Sequence, residues 1–347
     1  MSLDERPFLC YDDLLMTMKK NYNTQILPSD ERAIALAVIS IKEGEPVALP
    51  TETVYGLAAD ATNELAIKKI YSAKKRPEHN PLIVHVGKDC HSLEALVEKG
   101  YVDLSSFTQE ACHTLRSLIS TYWPGPLTLV LPRGQTISKS VAKGLTTVGF
   151  RMPDNSVFLK VIEKSGLPLA APSANQANCV SPTTAKHVYE ELQGRIPLIL
   201  EGEPSKVGVE STIFSLEAKG QLSLLRPGGI PVEEIEDFLD VTIEKEIKTS
   251  DPIKAPGMMS LHYSPRKPLF IQTELKDLKN YKIIDVLVIG EKTQDNTLED
   301  FSFNYLPNND KLVARELFAV LRRLDSSNSE AIIVLMKHEH KNGLWPA

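Results

Sequence analysis

The sequence predicts an α/β protein built on a mixed β-sheet, with a second, smaller module towards its C-terminus. Short apolar runs of strand length alternate with stretches in which apolar residues recur every three or four positions, as on one face of a helix. A charged segment rich in turn residues, 241–267, then divides the chain. With 347 residues, the chain has room for two domains of ordinary size.

The main domain, 29–240, is predicted to begin at a helix. The preceding residues, 1–28, show little organisation and are interpreted as an N-terminal extension. Ser29–Glu31 supply the polar residues that favour a helix N-terminus, and an apolar stripe continues to Gly44. The run Val47–Leu49 is typical of a short buried strand.

The next helix and strand carry polar residues that require an explanation. The helix closes at the cluster Lys74–Arg76, since Pro77 cannot continue it. Cations at a helix C-terminus interact favourably with the helix dipole, so a capped helix is the simplest interpretation of this cluster. In the strand Leu82–Val86, alternation places His85 on the same face as Ile83. Taken alone, His85 is more readily explained as a buried histidine with a hydrogen-bond partner than as a ligand contact.

The rest of the main domain continues the alternation of strands and helices. Ser181-Pro182-Thr183 is interpreted as a helix start, with Ser181 as the cap and Pro182 at the first helical position. The other predicted elements are helices within Leu93–Val97 and Leu115–Ile119 and strands at Leu127–Leu131, Thr146–Met152, Leu167–Ala171, Leu198–Leu200, Ser211–Leu216 and Leu222–Leu225.

The C-terminal residues, 268–347, are predicted to form a small Rossmann-like module after the linker 241–267. The module carries no GxGxxG turn, so no dinucleotide is assigned to it. Its predicted elements are strands at Leu269–Ile271, Val286–Ile289 and Ala331–Met336 and a helix at Lys311–Leu324.

Composition narrows the class of protein. A formal charge of -6 and a pI near 5.8 argue against a protein whose whole surface wraps nucleic acid, although a local basic cleft is compatible with them. The four cysteines show neither metal-site nor disulfide-framework spacing, which suits a reducing compartment. No apolar run reaches the roughly 18 residues that a membrane span needs, and the acidic first residues lack a signal-peptide pattern. A cytoplasmic protein without a structural metal site is predicted.

Polar residues recur at the ends of the predicted strands. Because ligands of α/β sheets bind at strand ends and in the loops that follow, this recurrence predicts one composite pocket. Lys74 and Arg76 would add positive charge, and a helix start at Ser181 would add backbone donors, which suits phosphate groups. Each signal is weak alone, since Ser, Thr and Asn also bond their own backbone in ordinary turns. The recurring residues are Thr53, His85, Thr147, Arg151, Ser173, Asn175, Ser211 and Arg226.

Nine segments, taken in order, form a recognisable set of motifs. They are PTETVYGL (Pro50–Leu57), KKRPEHNPLIVH (Lys74–His85), PGPLTLVL (Pro124–Leu131), GFRMP (Gly149–Pro153), APSAN (Ala171–Asn175), SPT (Ser181–Thr183), GVEST (Gly208–Thr212), LRPGG (Leu225–Gly229) and PGMMSLHYSP (Pro256–Pro265). With this set the chain resembles the YrdC/Sua5 family. The last segment is similar to the linker that distinguishes the two-domain Sua5 form from the single-domain YrdC form.

The resemblance implies a YrdC-like twisted mixed sheet and the activity of a threonylcarbamoyl-AMP synthase, a nucleotidyltransferase. Such an enzyme converts L-threonine, bicarbonate and ATP, with Mg²⁺ on the phosphates, into threonylcarbamoyl-AMP and pyrophosphate. The product passes to the machinery that transfers the threonylcarbamoyl group to adenosine 37 of tRNA. A monomer is expected, without membrane attachment, and contact with RNA is allowed but not required.

The resemblance also assigns residues to the two substrates. Lys74, Arg76 and Arg151 are expected to act in catalysis, with Arg151 as the partner of the threonine carboxylate. Threonine would contact Thr53, His85, Arg151, Ala171 and Ser211. ATP would contact Arg76, Asn80, Thr147, Ser173, Asn175, Ser181, Arg226 and Tyr263.

An alternative class is a protein that binds double-stranded RNA in the same basic concavity without turnover. The net negative charge and the lack of aromatic residues among the basic ones argue against it. A carbamoyl-transfer role like that of related hydrogenase-maturation domains is a second alternative. The chain also departs from the family pattern in places: Ala177 and Asn178 stand where Ser-Gly is usual, and Gly343–Ala347 end the chain where a final helix is expected, so the C-terminal domain looks short.

Overall fold

The computed structural model describes residues 21–77, 79–243, 264–272, 281–290 and 301–336. Most helices start at a side chain that accepts a hydrogen bond from a backbone N–H of the first turn, such as Asp30, Asn63 and Asn309. The helices are α1 Glu31–Lys42, α2 Glu64–Lys74, α3 Leu93–Glu98, α4 Gln109–Tyr122, α5 Lys139–Ala142, α6 Ser156–Ser165, α7 Ala185–Leu192, α8 Val232–Leu239 and α9 Asp310–Asp325.

Fourteen strands of the described residues form two sheets. The larger sheet has the order β1-β8-β2-β3-β7-β4-β6-β5-β9-β10, and the smaller has the order β11-β14-β12-β13. The strands are β1 Gln25–Pro28, β2 Val47–Leu49, β3 Gly56–Asp60, β4 Ile83–His85, β5 Leu127–Pro132, β6 Thr147–Arg151, β7 Leu169–Ala170, β8 Leu198–Glu201, β9 Thr212–Leu216, β10 Leu222–Arg226, β11 Leu269–Gln272, β12 Ile284–Ile289, β13 Phe301–Leu306 and β14 Ala331–Met336.

The large sheet mixes parallel and antiparallel pairs. β4 runs parallel to β6, and β5 runs parallel to β9, whereas β3 and β7 pair antiparallel. The core fills both faces: α1 and α6 pack on one side with β2 and β8, and α2 packs with β3 in the larger cluster. Helices on both sides of a mixed sheet confirm the predicted α/β class.

The smaller sheet is parallel throughout its described strands. β14 lies between β11 and β12, and β12 also pairs with β13. The six residues of β12 are all buried, which is typical of a central strand in a parallel sheet covered on its faces. With α9 against it, this module agrees with the predicted Rossmann-like unit.

Several elements were not predicted. β3 has the sequence GLAAD, and glycine and alanine give no strand signal. α6, α8 and β13 were also missed. The predicted helix start at Ser181 is wrong, because α7 begins at Ala185 and Thr184 accepts the capping hydrogen bond from the N–H of His187.

β1 lies within the segment interpreted as an extension. It runs parallel to β8, with Gln25 opposite Leu198 and Pro28 opposite Glu201. Proline is tolerated there because β1 is an edge strand. No helix in the described ranges is long and apolar enough to cross a membrane.

Candidate active site

A pocket lies where strands of the large sheet end and their loops meet. About 460 Å³ of space not filled by protein atoms lies within it, including space that is open to solvent. Its wall combines side chains from β4 and β6 with the loops that follow β2 and β7 and precede β9. The lining residues are Thr51, Thr53, Val54, Gly56, Arg76, Ile83, His85, Arg151, Ala171, Pro172, Ser173, Glu210, Ser211 and Arg226.

The turn after β2 is held by its own hydroxyl groups. Thr51 Oγ1 donates to the carbonyl of Val54 at 2.6 Å and accepts from the N–H of Val54 at 3.2 Å. It also lies 2.9 Å from Thr53 Oγ1. Because Thr51 uses its one proton on Val54, Thr53 is the donor of that pair. The turn thus places a buried hydroxyl, Thr53, in the pocket wall.

His85 and Arg151 come together because β4 and β6 run parallel in a register that pairs them. His85 packs against Phe158, with 5.0 Å between ring centroids. Burial, and then the neighbouring Arg151 cation, lower the pKa of His85 from 6.5 to about 3, so its imidazole is neutral at pH 7. Its Nδ1 has no hydrogen-bond partner within the described part of the chain. A neutral ring with a free nitrogen can bond a polar ligand.

Arg151 and Glu52 form a buried ion pair at the pocket. Arg151 Nη2 lies 2.6 Å from Glu52 Oε1, and the two side chains are 4% and 5% exposed. The atoms are close but not aligned as a hydrogen bond, and neither Nη2 nor the Glu52 oxygens has another partner among the described residues. Arg151 Nε donates to the carbonyl of Gly125 at 3.1 Å, which fixes the guanidinium plane. An anionic ligand could satisfy the misaligned donor.

Ser211 and Arg226 form another part of the wall. Arg226 Nη2 donates to the Ser211 carbonyl at 2.9 Å and to its Oγ at 3.0 Å. Ser211 Oγ also lies 2.7 Å from Thr128 Oγ1 on the neighbouring strand. Ser211 and Thr128 are fully buried. These bonds hold a cation and a hydroxyl side by side in the pocket wall.

Lys74 is a buried cation rather than a solvated helix cap. Its Nζ donates to the carbonyls of Ser173 at 2.5 Å and Asn175 at 2.6 Å, and to Asn175 Oδ1 at 3.3 Å. Three acceptors match the three N–H groups of an ammonium. Burial, and then the nearby Arg76, lower the pKa of Lys74 from 10.5 to about 7. The capping position belongs to Lys75, which has a left-handed backbone with φ of 50°.

Arg76 is fixed by the backbone that leads into β4. Its Nε donates to the carbonyl of Asn80 at 3.2 Å, and its Nη2 donates to the carbonyl of Pro81 at 2.9 Å. The Asn80 carbonyl also accepts from the Tyr71 hydroxyl at 2.7 Å. These backbone bonds hold the guanidinium at the pocket.

The pocket brings together much of the predicted set. All five residues predicted for threonine line it: Thr53, His85, Arg151, Ala171 and Ser211. Of those predicted for ATP, Arg76, Ser173 and Arg226 line it.

The other predicted residues lie outside the lining. Lys74 and Asn175 bond to the Ser173 segment, and Asn80 bonds to Arg76. Ser181 Oγ donates to Glu210 Oε1 at 2.6 Å. Thr147 lies at the far end of β6 from Arg151, about 13 Å along the strand at ~3.3 Å per residue. Tyr263 falls outside the described residues.

Sequence reasoning missed the acidic side of the site. Glu52 and Glu210 stand in the segments PTETVYGL and GVEST, so the residues themselves were in view. Their burial and their partners, Arg151 and Ser181, were not. The described residues contain no group of three or more His, Cys, Asp or Glu placed to hold a metal ion.

Two family models match the chain. One, Sua5_yciO_yrdC, described as "Telomere recombination", matches residues 40–228. The other, Sua5_C, described as "Threonylcarbamoyl-AMP synthase, C-terminal domain", matches residues 230–347. The threonylcarbamoyl-AMP synthase of Pyrococcus abyssi is 38% identical over 329 residues, which cover 91% of this chain and 92% of that protein. The chain belongs to the Sua5/YciO/YrdC family.

Further comparisons agree with membership of the Sua5/YciO/YrdC family. The threonylcarbamoyl-AMP synthase of Bacillus subtilis is 40% identical over 323 residues, or 89% of each chain. The crystal structure of P. abyssi Sua5 complexed with L-threonine matches with a TM-score of 0.77 and 36% identity, covering 92% of this chain and 93% of that one. The predicted relation to threonylcarbamoyl-AMP synthases, and with it the prediction of an enzyme, is confirmed.

Proposed function

We propose that this member of the Sua5/YciO/YrdC family makes threonylcarbamoyl-AMP and pyrophosphate from L-threonine, bicarbonate and ATP. The observation that carries the proposal is the arrangement of buried groups: Arg151, His85 and Ser211 share a small pocket with the cations Arg76 and Arg226. An amino acid carboxylate and a triphosphate both need such charges. The similarity to proteins named threonylcarbamoyl-AMP synthase supports the same activity.

The threonine end of the site is assigned to Thr53, His85, Arg151, Ala171 and Ser211. Arg151 would bind the carboxylate, since a guanidinium matches a carboxylate with two parallel hydrogen bonds. His85, neutral with a pKa of about 3, is too weak a base at pH 7 to take the proton of the amine. We therefore assign it a hydrogen-bonding role. The relative crystallised with L-threonine supports this substrate.

The nucleotide end is assigned to the cations and amides around the Ser173 segment. Arg76, Ser173 and Arg226 line the pocket. Lys74, which lies outside the lining, donates to the carbonyls of Ser173 and Asn175. Asn80, Thr147, Ser181 and Tyr263 remain predicted contacts of the nucleotide. Magnesium enters with ATP, on the phosphates, as part of the substrate.

The proposed reaction needs positioning and charge stabilisation rather than a covalent enzyme intermediate. The neutral amine of threonine first combines with bicarbonate to give a carbamate and water. A carbamate oxygen then attacks the α-phosphorus of ATP, and the bond to pyrophosphate breaks. Negative charge grows on the phosphates as this happens, and buried cations such as Lys74, Arg76 and Arg226 would stabilise it in a site with little water.

The downstream role and the setting of the enzyme also remain proposals. We infer that the product is passed to the machinery that modifies adenosine 37 of tRNA, in the cytoplasm, and that the chain acts as a monomer. We retain the division into a domain of 29–240, a linker of 241–267 and a domain of 268–347. β1 should be added to the first domain, because it pairs with β8.

The test is pyrophosphate release by the purified full chain with ATP, magnesium and bicarbonate, with and without L-threonine, and with L-serine as a control. We expect release that depends on threonine, together with a threonylcarbamoyl adenylate seen by mass spectrometry. Arg76→Ala should abolish release, whereas Arg116→Ala, an exposed control, should not. A folded wild-type protein that releases no pyrophosphate but binds double-stranded RNA in a salt-dependent way would overturn the proposal.

A further inference from the structure

We propose that Arg322, on helix α9 of the C-terminal domain, is a positioning residue that holds the nucleotide side of the pocket in shape from outside it. The inference rests on the proposed function, because it concerns how that site binds ATP. It gives the C-terminal domain a direct part in the geometry of the site.

Arg322 bonds to the main domain through two nitrogens of its guanidinium, Nε and Nη2. Its Nε donates to the carbonyl of Ser181 at 3.2 Å, and its Nη2 donates to the carbonyl of Val180 at 2.5 Å. Nη2 also donates to Glu191 Oε1 on α7. The side chains of Arg322 and Glu191 are only 10% and 5% exposed. A desolvated, planar donor thus joins a loop and a helix of the other domain.

Glu191 continues the connection towards the pocket. Its other oxygen, Oε2, accepts from the backbone N–H of Gln176 at 2.7 Å. The preceding residues, Ser173 and Asn175, carry the carbonyls to which Lys74 donates. The path therefore runs from Arg322 through Glu191 to the segment 173–176, which contains a lining residue of the pocket, Ser173.

α9 is packed too closely to shift without changing the neighbouring loops. A Cβ atom built on Gly208 would lie 2.4 Å from the Cα of Arg315, so the α9 backbone lies directly against the loop that leads to Ser211. Val54, which lines the pocket, shares a buried cluster with Leu287 and Phe318 of the C-terminal domain. Arg322 is therefore presented to the main domain by a fixed helix.

The chemistry favours an arginine at this position. A guanidinium is planar and offers five N–H donors in a rigid fork, so it can bond two carbonyls and a carboxylate together. The compact ammonium of a lysine cannot place its donors far enough apart to reach all three acceptors. Loss of the guanidinium would leave Glu191 buried without its cation, and the loop 176–181 without two of its bonds.

The test compares four full-length single variants with wild type: Arg322→Ala, Arg322→Lys, Glu191→Gln and Arg323→Ala. Arg323 is the matched control, since it is exposed on the same helix and bonds to Asn304 within the C-terminal domain. Three quantities are measured for each variant: the KM for ATP and the KM for threonine in the pyrophosphate assay, and the Kd of a non-hydrolysable ATP analogue by calorimetry. Thermal unfolding checks that each variant is folded.

We expect Arg322→Ala and Glu191→Gln to raise the KM for ATP and the analogue Kd by about ten- to a hundredfold, the scale on which misplacement of about 1 Å affects a site. The KM for threonine should stay within about twofold, because Thr53, His85 and Arg151 lie outside the path. Arg322→Lys should not restore ATP affinity. A double variant that combines Arg322→Ala with Glu191→Gln should lose no more ATP affinity than either single variant, since both changes interrupt the same chain of hydrogen bonds.

Two results would overturn the inference. One is a folded Arg322→Ala protein whose ATP parameters equal those of Arg323→Ala. The other is an equal increase in the KM for ATP and in the KM for threonine, because such a result indicates general destabilisation of the protein. Because the analogue Kd needs no turnover, a wild-type protein that binds the analogue without releasing pyrophosphate would count against the proposed function and still leave the role of Arg322 measurable.

Discussion

Glu52 Oε1 lies 2.6 Å from Arg151 Nη2 at the buried wall of the pocket, yet the two atoms are not aligned as a hydrogen bond. The charges are neutralised, while Arg151 Nη2 has no aligned hydrogen-bond acceptor among the described residues. A carboxylate ligand at Arg151 would supply the missing alignment, and Glu52 would then face a more negative neighbourhood. Under the proposed assignment of Arg151 to the threonine carboxylate, the pair links the stability of the ligand-free protein to threonine binding.

The first prediction concerns Glu52→Gln. Removing the acid leaves the Arg151 cation buried without a counter-charge, so we expect the free energy of unfolding to fall by about 3 kcal/mol. Threonine should restore part of this loss, because its carboxylate replaces the missing charge. The rise in melting temperature caused by threonine should therefore be larger in the variant than in wild type.

The measurement is thermal unfolding of both proteins over a series of threonine concentrations. Glu94→Gln is the control, since Glu94 pairs with Arg116 at the surface, where both side chains are more than half exposed. Its melting temperature should differ little from that of wild type. An identical threonine-induced shift in Glu52→Gln and wild type would contradict the assignment of Arg151 to the carboxylate.

The second prediction is a pH dependence that arises from Lys74. Burial and Arg76 lower its pKa to about 7, so the folded protein loses this charge above neutral pH while the unfolded chain keeps it to near 10.5. ATP affinity should then fall as pH rises from 6 to 8.5. Lys74→Met should bind the ATP analogue weakly, with an affinity that changes little over the same range.

The same lowered pKa predicts the opposite trend for stability. Between pH 7 and 10.5 the unfolded chain binds more protons at Lys74 than the folded protein, so this group makes unfolding less favourable as pH rises. Calorimetry from pH 6 to 9 should show that Lys74→Met lacks this contribution to the rise in stability with pH. A rise in stability with pH that is as steep in Lys74→Met as in wild type, or steeper, would contradict the lowered pKa of Lys74.

The third prediction concerns acid unfolding through His85. Its pKa is about 3 in the folded protein and 6.5 when exposed, so the unfolded chain takes up the proton first. Stability from the neutral imidazole is complete above pH 6.5 and is lost as pH falls towards 3. Urea denaturation at pH 6.5, 5.5 and 4.5 should show that the free energy of unfolding falls less steeply with pH in His85→Asn than in wild type. Equal slopes would contradict the lowered pKa of His85.

The fourth prediction concerns Gly208→Ala at the contact between the domains. Gly208 has φ of +79°, and an added Cβ would lie 2.4 Å from the backbone of α9. Gly166→Ala is a matched control, because Gly166 has φ of +72° and a Cβ atom added there would meet nothing within 4 Å among the described residues. Both changes should cost about 1 kcal/mol through the left-handed backbone.

Only Gly208→Ala should also loosen the docking of the C-terminal domain. We expect a lower melting temperature than for Gly166→Ala. A melting temperature equal to that of Gly166→Ala would show that the close contact with α9 contributes nothing to stability.

Local patterns predicted those parts of the fold that carry strong local signals. The apolar runs at Val47–Leu49, Leu127–Leu131 and Ala331–Met336 became strands because an apolar face or core strand is readable from neighbouring residues alone. β3 and β1 were missed for the same reason, since GLAAD and QILP show neither alternation nor β-branched runs. Their place in the sheet is set by partners distant in sequence.

The site was predicted unevenly for a similar reason. Hydroxyls and cations at strand ends are visible in sequence, and most of them line the pocket. The burial of Lys74 is not visible, because the carbonyls that receive its ammonium lie about a hundred positions later, at Ser173 and Asn175. The same holds for Glu52, whose partner Arg151 is on another strand.

The parallel pairing of β1 with β8 also constrains the order of events during synthesis. Gln25 meets Leu198, so the ribosome must add more than 170 residues before this edge of the sheet can close. At typical translation rates of 5–20 residues per second, that interval is roughly 9 to 35 s. During this time the apolar side chains of β2 also lack β8 as a neighbour. The first loop of the pocket, Thr51–Tyr55, is therefore synthesised well before the strands that complete the pocket wall.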